Sequence, residues 1–165
     1  MRVRRTFGFL DLCGFTSFTD VNGDARAVVV LSHLRRIIRT HAEERGVRVT
    51  KWLGDGAMLS GVEPEAVIAC ALAVREDVGR DGHLALRGGL CEGEVIMFEG
   101  DDYIGAAVNL AARLCRQAGP GELLITAALA SRLPSGLEAV PLGGTSIDGL
   151  AERVEVLALQ APARS

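Results

Sequence analysis

Two aspartates stand where the sequence predicts that strands end or turn. Asp11 interrupts an apolar run between Leu10 and Leu12, and Asp55 lies in a Gly-Asp-Gly turn. An aspartate buried among leucines without a partner is costly, whereas Asp55 alone also fits an ordinary turn. If the two strands are neighbours, the carboxylates converge, and two carboxylates with substrate phosphates are ligands that Mg²⁺ prefers. The pair therefore indicates metal-assisted displacement at phosphorus.

Lys51 is the only lysine of a chain that carries 18 Lys and Arg residues in total. A genome biased towards arginine explains the scarcity of lysine but not the presence of this one. The ammonium is a compact charge with rotatable donors, and a planar guanidinium does not replace it. Lys51 precedes Asp55 by only four residues, so any role for both must be compatible with one hairpin.

Further polar residues lie around a helix expected over residues 104–119. Asn109 and Arg113 are spaced i, i+4, so they share a face of that helix, and the residues around them are small and apolar. They form a recognition pair that needs a partner, or they form a solvated stripe, or Arg113 makes an intrachain salt bridge. Asp102 precedes the helix in an acidic loop, and Arg87 lies inside a strand, where a packed or paired arginine is the ordinary interpretation.

The segment Cys-Gly-Phe-Thr-Ser-Phe-Thr at residues 13–19 joins the first expected strand to a short helix. Backbone N–H groups at the start of a helix suit anionic phosphates, which makes Gly14, Phe15 and Thr16 candidates for phosphate binding. The alternative is an ordinary helix start capped by Thr16 or Ser17.

Length and composition predict one folded domain over residues 1–165. The chain is 48% hydrophobic and 24% charged, which is enough to build a core, and its net charge of −3 argues against a nucleic-acid partner. Four widely spaced cysteines favour buried thiols in a reducing compartment. Asp11 breaks the only stretch that resembles a signal peptide, and no apolar run approaches the roughly 20 residues of a membrane span. We therefore expect a cytoplasmic protein.

Hydrophobic periodicity predicts an α+β fold. The long second helix is expected to start with Asp24 as its cap and to bury a face made of Val28, Leu31, Leu34 and Ile38. The expected strands cover residues 5–13, 47–53, 57–62, 84–95, 121–129, 136–143 and 153–160, and the main helices cover residues 24–45, 64–80 and 104–119. The inner order β-α-β-β-α-β is a ferredoxin-like pattern, and the later elements are C-terminal additions to it.

Four segments together resemble the catalytic domain of class III nucleotidyl cyclases, over about residues 5–159. They are "FLDLCGFT", similar to the first metal motif, "KWLGDGAM", similar to the Lys-x-x-Gly-Asp motif, "LRGGLCEGEV", similar to the strand before the dimer arm, and "DDYIGAAVNLAARL", similar to the Asp-x-x-Gly-x-x-Val-Asn-x-Ala-x-Arg-Leu signature. Each motif alone is of moderate specificity. Four in the family order at fitting spacings make a strong match.

The resemblance implies a homodimer whose two active sites lie at the subunit interface. In each site, Asp11 and Asp55 of one subunit would bind two divalent cations, Mg²⁺ or Mn²⁺. Lys51 and Asp102 would hold the purine of the nucleotide. Lys51 and Asp55, although close in sequence, would then serve opposite sites of the dimer.

The resemblance further implies an adenylyl cyclase that converts ATP to cyclic AMP and pyrophosphate. Asn109 would orient the ribose and Arg113 would meet the charge that grows on the α-phosphate, both from the subunit that supplies Lys51. Arg87 resembles an arginine of the family that contacts the triphosphate. Lys51 donates and Asp102 accepts, which matches the edge of adenine, whereas guanylyl cyclases of the family typically use Glu and Cys there.

One position departs from the family pattern. Asp148 stands in "SIDGL", where the family often has a lysine that binds phosphate. An aspartate there would repel phosphate, so either Arg153 or another arginine compensates, or the affinity for nucleotide is low.

Two other functions are alternatives to an active adenylyl cyclase. A degenerate cyclase domain could act as a nucleotide-binding or dimerisation module, which the six retained signature positions disfavour. A diguanylate cyclase is disfavoured because no Gly-Gly-Asp/Glu-Glu-Phe stretch occurs.

Overall fold

The computed structural model describes residues 1–82, 84–100, 102–145 and 154–160. The strands are β1 (Arg2–Leu12), β2 (Arg48–Leu53), β3 (Gly56–Gly61), β4 (Leu86–Phe98), β5 (Asp102–Ile104), β6 (Leu123–Thr126), β7 (Ala139–Thr145) and β8 (Val154–Leu159). The α-helices are α1 (Phe15–Asn22), α2 (Asp24–Arg45), α3 (Pro64–Asp81) and α4 (Ala106–Gln117), and a 3₁₀ helix covers Ala127–Arg132.

One mixed sheet organises the described residues. Its order is β2-β3-β1-β4-β6-β8-β7, and β5 pairs with the far part of β4. Strands β1 to β4 are joined in antiparallel pairs, and β4 pairs with β6 in parallel. The expected ferredoxin-like β-α-β-β-α-β core is therefore confirmed in β1, α2, β2, β3, α3 and β4. Strand β5, which is only three residues long, was not predicted from the sequence.

The two faces of the sheet carry different helices. Leu10 and Leu90 point to the main core, which contains the buried faces of α2 and α3. Phe7 and Cys91 point the other way, into a smaller core with Ala107 of α4. Because side chains alternate along a strand, Asp11 and Arg87 lie on the α4 side of the sheet.

Two glycines allow close backbone approaches that a side chain would prevent. A Cβ on Gly56 would lie 2.0 Å from the Leu10 carbonyl oxygen. A Cβ on Gly89 would lie 2.4 Å from the amide nitrogen of Cys115 and 2.5 Å from the carbonyl oxygen of Ala111. Real Cβ atoms do not approach so closely, so these glycines let β3 lie against β1 and let α4 lie against β4.

The expected helix caps are wrong in two places. Helix α1 follows Gly14 and helix α2 follows Gly23, and neither start has a side-chain capping hydrogen bond. Asp24 is the first residue of α2 rather than its cap, and neither Thr16 nor Ser17 caps α1. The predicted buried face of α2 is also partly wrong, because Leu34 and Ile38 are buried but Val28 is 60% exposed. The buried residues of α2 are Ala27, Leu34, Ile38 and Ala42, so Ala27 rather than Val28 is buried at the start of the helix.

Candidate active site

Asp11 and Asp55 converge at one end of the central strands. Asp11 pairs with Gly56 across the β1–β3 ladder, and the backbone N–H of Leu12 donates to the carbonyl oxygen of Asp55 at 3.1 Å. The turn between β2 and β3 begins with Gly54, whose φ of 55° favours glycine. The predicted convergence of the two carboxylates therefore follows from strand register and from a tight Gly-Asp-Gly turn.

Arg87 lies directly opposite Asp11 on β4 and donates two hydrogen bonds to its carboxylate. Arg87 Nε donates to Asp11 Oδ1 at 2.7 Å, and Nη2 donates to Oδ2 at 3.3 Å. Nη1 donates to the carbonyl oxygen of Arg116 at the end of α4, at 3.2 Å. The ordinary interpretation of Arg87 as a paired arginine is thus confirmed. That its partner is Asp11, a candidate metal ligand, could not be predicted from the sequence.

The charges of this group perturb one another. Burial raises the pKa of Asp55, and the nearby Asp11 carboxylate raises it further. The hydrogen bond to Asp11 raises the pKa of Arg87 above its usual range. Burial also raises the pKa of the nearby Cys13 thiol, so this thiol is not activated as a nucleophile. The group holds two carboxylates against one guanidinium.

The donor set of Asp11 and Asp55 fits a hard divalent cation. Two carboxylates in close proximity, one of them with a raised pKa caused partly by the other, attract a cation. Within the described ranges, no group of three or more His, Cys, Asp or Glu side chains could hold a metal ion. The site therefore resembles Mg²⁺ sites that use one or two carboxylates and take further ligands from substrate phosphates and water.

Lys51 and Asp102 form an ion pair although they are 51 positions apart in the sequence. Lys51 Nζ lies 2.9 Å from Asp102 Oδ1, and the two side chains are 52% and 50% exposed. Exposed ion pairs contribute little to stability. Trp52, the neighbour of Lys51, points to the other side of β2, where Arg35 and Arg39 of α2 lie 5.0 and 4.8 Å from its ring. Lys51 is thereby presented on the same side of the sheet as Asp102.

Asn109 and Arg113 project from α4 one turn apart. Asn109 is exposed and Arg113 is half-buried. Among the described residues, Arg113 has no ion pair, so the intrachain salt bridge considered for it is not found there. The buried face of α4 consists of Ala107, Ala111, Leu114 and Cys115, which leaves both polar side chains on the remaining surface.

Helix α1 begins beside the two aspartates. Gly14 adopts the left-handed conformation, with φ 75° and ψ 19°, and its carbonyl oxygen accepts from the N–H of Phe18 at 2.9 Å. Phe15 packs against the main core and Thr16 is exposed. Because no side chain caps this helix, its first N–H groups remain suited to an anionic ligand.

Two residues that the sequence analysis considered for phosphate binding lie outside the described residues. Asp148, which stands where the family often has a phosphate-binding lysine, and Arg153, which was considered as its substitute, both belong to the range 146–153. All four cysteines are free thiols. Cys70, Cys91 and Cys115 are buried as expected, whereas Cys13 is only half-buried.

Comparison with curated proteins finds cyclases among the relatives. No protein-family model matches the chain. An uncharacterised protein of Mycobacterium tuberculosis is 35% identical over 128 residues, which are 77% of this chain and 34% of that protein. Adenylate cyclase 2 of Rhizobium meliloti is 30% identical over an alignment that spans 95% of this chain and 50% of that protein. The chain thus spans about a third to a half of the length of these curated relatives.

Solved structures agree over nearly the whole chain. The adenylyl cyclase CyaB from P. aeruginosa matches with a TM-score of 0.81 at 23% identity, over 99% of this chain and 97% of that one. The guanylate cyclase domain of RhGC from Catenaria anguillulae, solved in complex with GTP, matches with a TM-score of 0.85 at 20% identity, over 98% of this chain and 99% of that one.

The chain has the fold of a class III nucleotidyl cyclase catalytic domain. The resemblance carried by the four sequence segments is therefore confirmed. Both adenylyl and guanylyl cyclases share this cyclase fold, so the fold alone does not select the base. No helix of the described residues is long and apolar enough to cross a membrane.

Proposed function

We propose that this chain is an adenylyl cyclase domain that converts ATP to 3′,5′-cyclic AMP and pyrophosphate at sites shared across a homodimer. The observation that carries the proposal is the ion pair of Lys51 and Asp102 at 2.9 Å. An exposed pair contributes little to stability, but a cationic donor beside an anionic acceptor matches the ring nitrogen and the amino group of adenine. The name of the relative from Rhizobium meliloti, an adenylate cyclase, supports the same base.

Asp11 and Asp55 would hold the divalent cations, Mg²⁺ or Mn²⁺. When bound, such cations would lower the pKa of the ribose 3′ hydroxyl and neutralise part of the triphosphate charge. Backbone groups of the chain itself would help to hold the triphosphate in line. The uncapped start of α1 at Gly14, Phe15 and Thr16 offers N–H donors to it.

The reaction forms a bond between the ribose 3′ oxygen and the α-phosphorus. The bond from that phosphorus to the bridging oxygen breaks, pyrophosphate leaves, and the hydroxyl proton passes to solvent. Asn109 would orient the ribose, and Arg113 would stabilise the charge that grows on the α-phosphate oxygens. The absence of an ion pair for Arg113 among the described residues leaves its guanidinium available for that role.

The two halves of a site would come from different subunits. Within one chain, Lys51 contacts Asp102, whereas Asp55 lies beside Asp11 and Arg87. One hairpin thus carries a base-reading residue and a metal ligand in two separate groups. This separation supports a dimer in which the carboxylates of one subunit complete a site with Lys51, Asn109 and Arg113 of the other.

A product assay tests the proposal. The purified chain is incubated with ATP or GTP, each with Mg²⁺ and with Mn²⁺, and the cyclic nucleotide is quantified by chromatography. We expect cyclic AMP from ATP and much less cyclic GMP from GTP. Tight nucleotide binding without either product would contradict the proposal and indicate a regulatory module instead. Equal turnover of both nucleotides would contradict the assignment of the base.

A further inference from the structure

The Asp11 carboxylate already has a cationic partner within its own chain. Arg87 Nε and Nη2 engage the two oxygens at 2.7 and 3.3 Å, which are the oxygens that a divalent cation would need. Such two-pronged contacts between guanidinium and carboxylate are among the stronger hydrogen bonds of proteins. A cation that binds Asp11 must therefore compete with Arg87.

The position of Arg87 in β4 keeps its guanidinium within reach of the Asp11 carboxylate. Arg87 is paired with Asp11 across the β1–β4 ladder, so its backbone stays next to the site whatever its side chain does. Its third contact is to the Arg116 carbonyl oxygen at the end of α4, where the helix dipole favours a cation. The side chain of Arg87 is 29% exposed, so it is partly open to solvent and can turn towards a ligand.

We propose that Arg87 is an internal counter-ion of Asp11, which weakens divalent-cation binding to the nucleotide-free site and leaves Asp11 when a nucleotide triphosphate provides another anion. This inference rests on the proposed function and adds an order of binding to it. Without nucleotide, a divalent ion at Asp11 and Asp55 would lie against a fixed positive charge, and like charges at such distances repel. With nucleotide, the phosphates accept the guanidinium, and both oxygens of Asp11 become available.

Mn²⁺ binding to the nucleotide-free protein tests the inference without any catalysis. Electron paramagnetic resonance measures free Mn²⁺ in titrations of the wild-type chain and of Arg87→Gln. We expect Arg87→Gln to bind Mn²⁺ at least tenfold more tightly, because it removes the competing charge and releases the carboxylate. An affinity equal to or weaker than that of the wild type would overturn the inference.

Two controls locate the effect. The exposed Arg4, which pairs with Glu92 at 2.9 Å on the same two strands, provides a matched variant, Arg4→Gln, that should leave Mn²⁺ affinity unchanged. The double variant Asp11→Asn with Arg87→Gln should lose the gain. Persistence of the gain in the double variant would show that the additional Mn²⁺ binds elsewhere, which also contradicts the inference.

A measurement on the wild-type chain covers the case in which Arg87→Gln does not fold. The side-chain Nε–H signal of Arg87 is assigned by its absence in the nitrogen-15 spectrum of Arg87→Lys. It should stay in place with Mg²⁺ alone and shift with Mg²⁺ plus 3′-deoxy-ATP, which lacks the attacking hydroxyl. A signal that stays in place in the ternary complex would refute the exchange of partners. Since neither readout needs product, failure of the cyclase assignment and failure of this inference remain distinguishable.

Discussion

Asp11 and Asp55 carry the same charge but stand in different surroundings. Asp11 is neutralised by Arg87 across the strands, whereas the pKa of Asp55 is raised by burial and by Asp11. A group with a raised pKa in the folded state opposes folding when it is ionised, and the opposition is relieved as the pH falls through that pKa. At the residue scale, one aspartate therefore contributes to stability and the other reduces it.

Neutral substitutions should separate these effects. Asp11→Asn should lower stability by about 1–3 kcal/mol, because it leaves the half-buried Arg87 with a weaker partner. Asp55→Asn should raise the melting temperature at neutral pH, and this gain should shrink as the pH falls through the raised pKa of Asp55 in the wild type. Both variants should lose at least about 100-fold in turnover if the two carboxylates hold the metal. Thermal melts between pH 4 and 7 check the changes in stability, and assays of cyclic AMP check the changes in turnover. An Asp55→Asn variant that is destabilised at neutral pH would contradict the electrostatic account.

The base should be selected by Lys51 and Asp102. Exchanging both, as Lys51→Glu with Asp102→Cys, should shift the ratio of ATP to GTP turnover towards GTP, because guanine presents the reverse pattern of donors and acceptors. Unpaired polar groups in a recognition site can discriminate by about 10⁴, and a grafted pair should achieve far less. The matched control is Arg4→Glu with Glu92→Cys, which exchanges another ion pair of 2.9 Å. If the ratio shifts equally in the control, these two residues do not select the base.

At the element scale, the close packing of α4 on β4 depends on Gly89. The helix lies so close to the strand that a methyl group on Gly89 would meet the backbone of Ala111 and Cys115. Because α4 also carries Asn109 and Arg113, a displaced helix would move the two groups proposed to act on the ribose and the α-phosphate.

Gly89→Ala should therefore destabilise the fold by about 1–3 kcal/mol or more and reduce turnover in the protein that remains folded. Gly79→Ala is the matched control, because Gly79 lies on the exposed side of α3 with nothing within 4 Å of an added Cβ. That control should gain up to about 1 kcal/mol from helix propensity. Chemical denaturation measures both, and a Gly89→Ala variant as stable as the wild type would mean that α4 can move away without cost.

The elements could be predicted from the sequence to the extent that their patterns are local. The strand around Asp11, the hairpin turn at Asp55 and the helix carrying Asn109 and Arg113 all follow from hydrophobic periodicity and glycine placement. The partner of Arg87 could not be predicted in the same way, because it depends on the register between β1 and β4, and many registers fit the same apolar pattern. The caps of α1 and α2 were missed because glycine in an unusual conformation replaces the expected side-chain cap.

At the scale of the whole molecule, the proposed site needs two chains, and mixed dimers test this directly. Asp55→Asn and Arg113→Ala should each be inactive alone. In a mixed dimer both lesions fall in one site, so the other site is complete. Random pairing makes about half of the dimers mixed, each with one working site, so about a quarter of wild-type activity should return. In each parent the activation barrier should be several kcal/mol higher than in the wild type, and about 1.4 kcal/mol is tenfold in rate, so the recovery is easy to measure.

The control for mixing uses two lesions in the same half of the site. Asp55→Asn mixed with Asp11→Asn should recover nothing, because every site in the mixture then lacks a carboxylate. Subunit exchange is confirmed separately with two fluorescent labels. If exchange occurs and the first mixture stays inactive, the site is built within one chain.

The hairpin of β2 and β3 holds Lys51 and Asp55 in two separate groups, and this has a consequence for dosage. If each group needs its complement from a second copy, a lone copy produces nothing. Below the dissociation constant of the pair, output then follows the square of the amount of protein, so halving expression cuts the signal to about a quarter. The signal of such a domain would therefore change more steeply than its amount, without any added inhibitor.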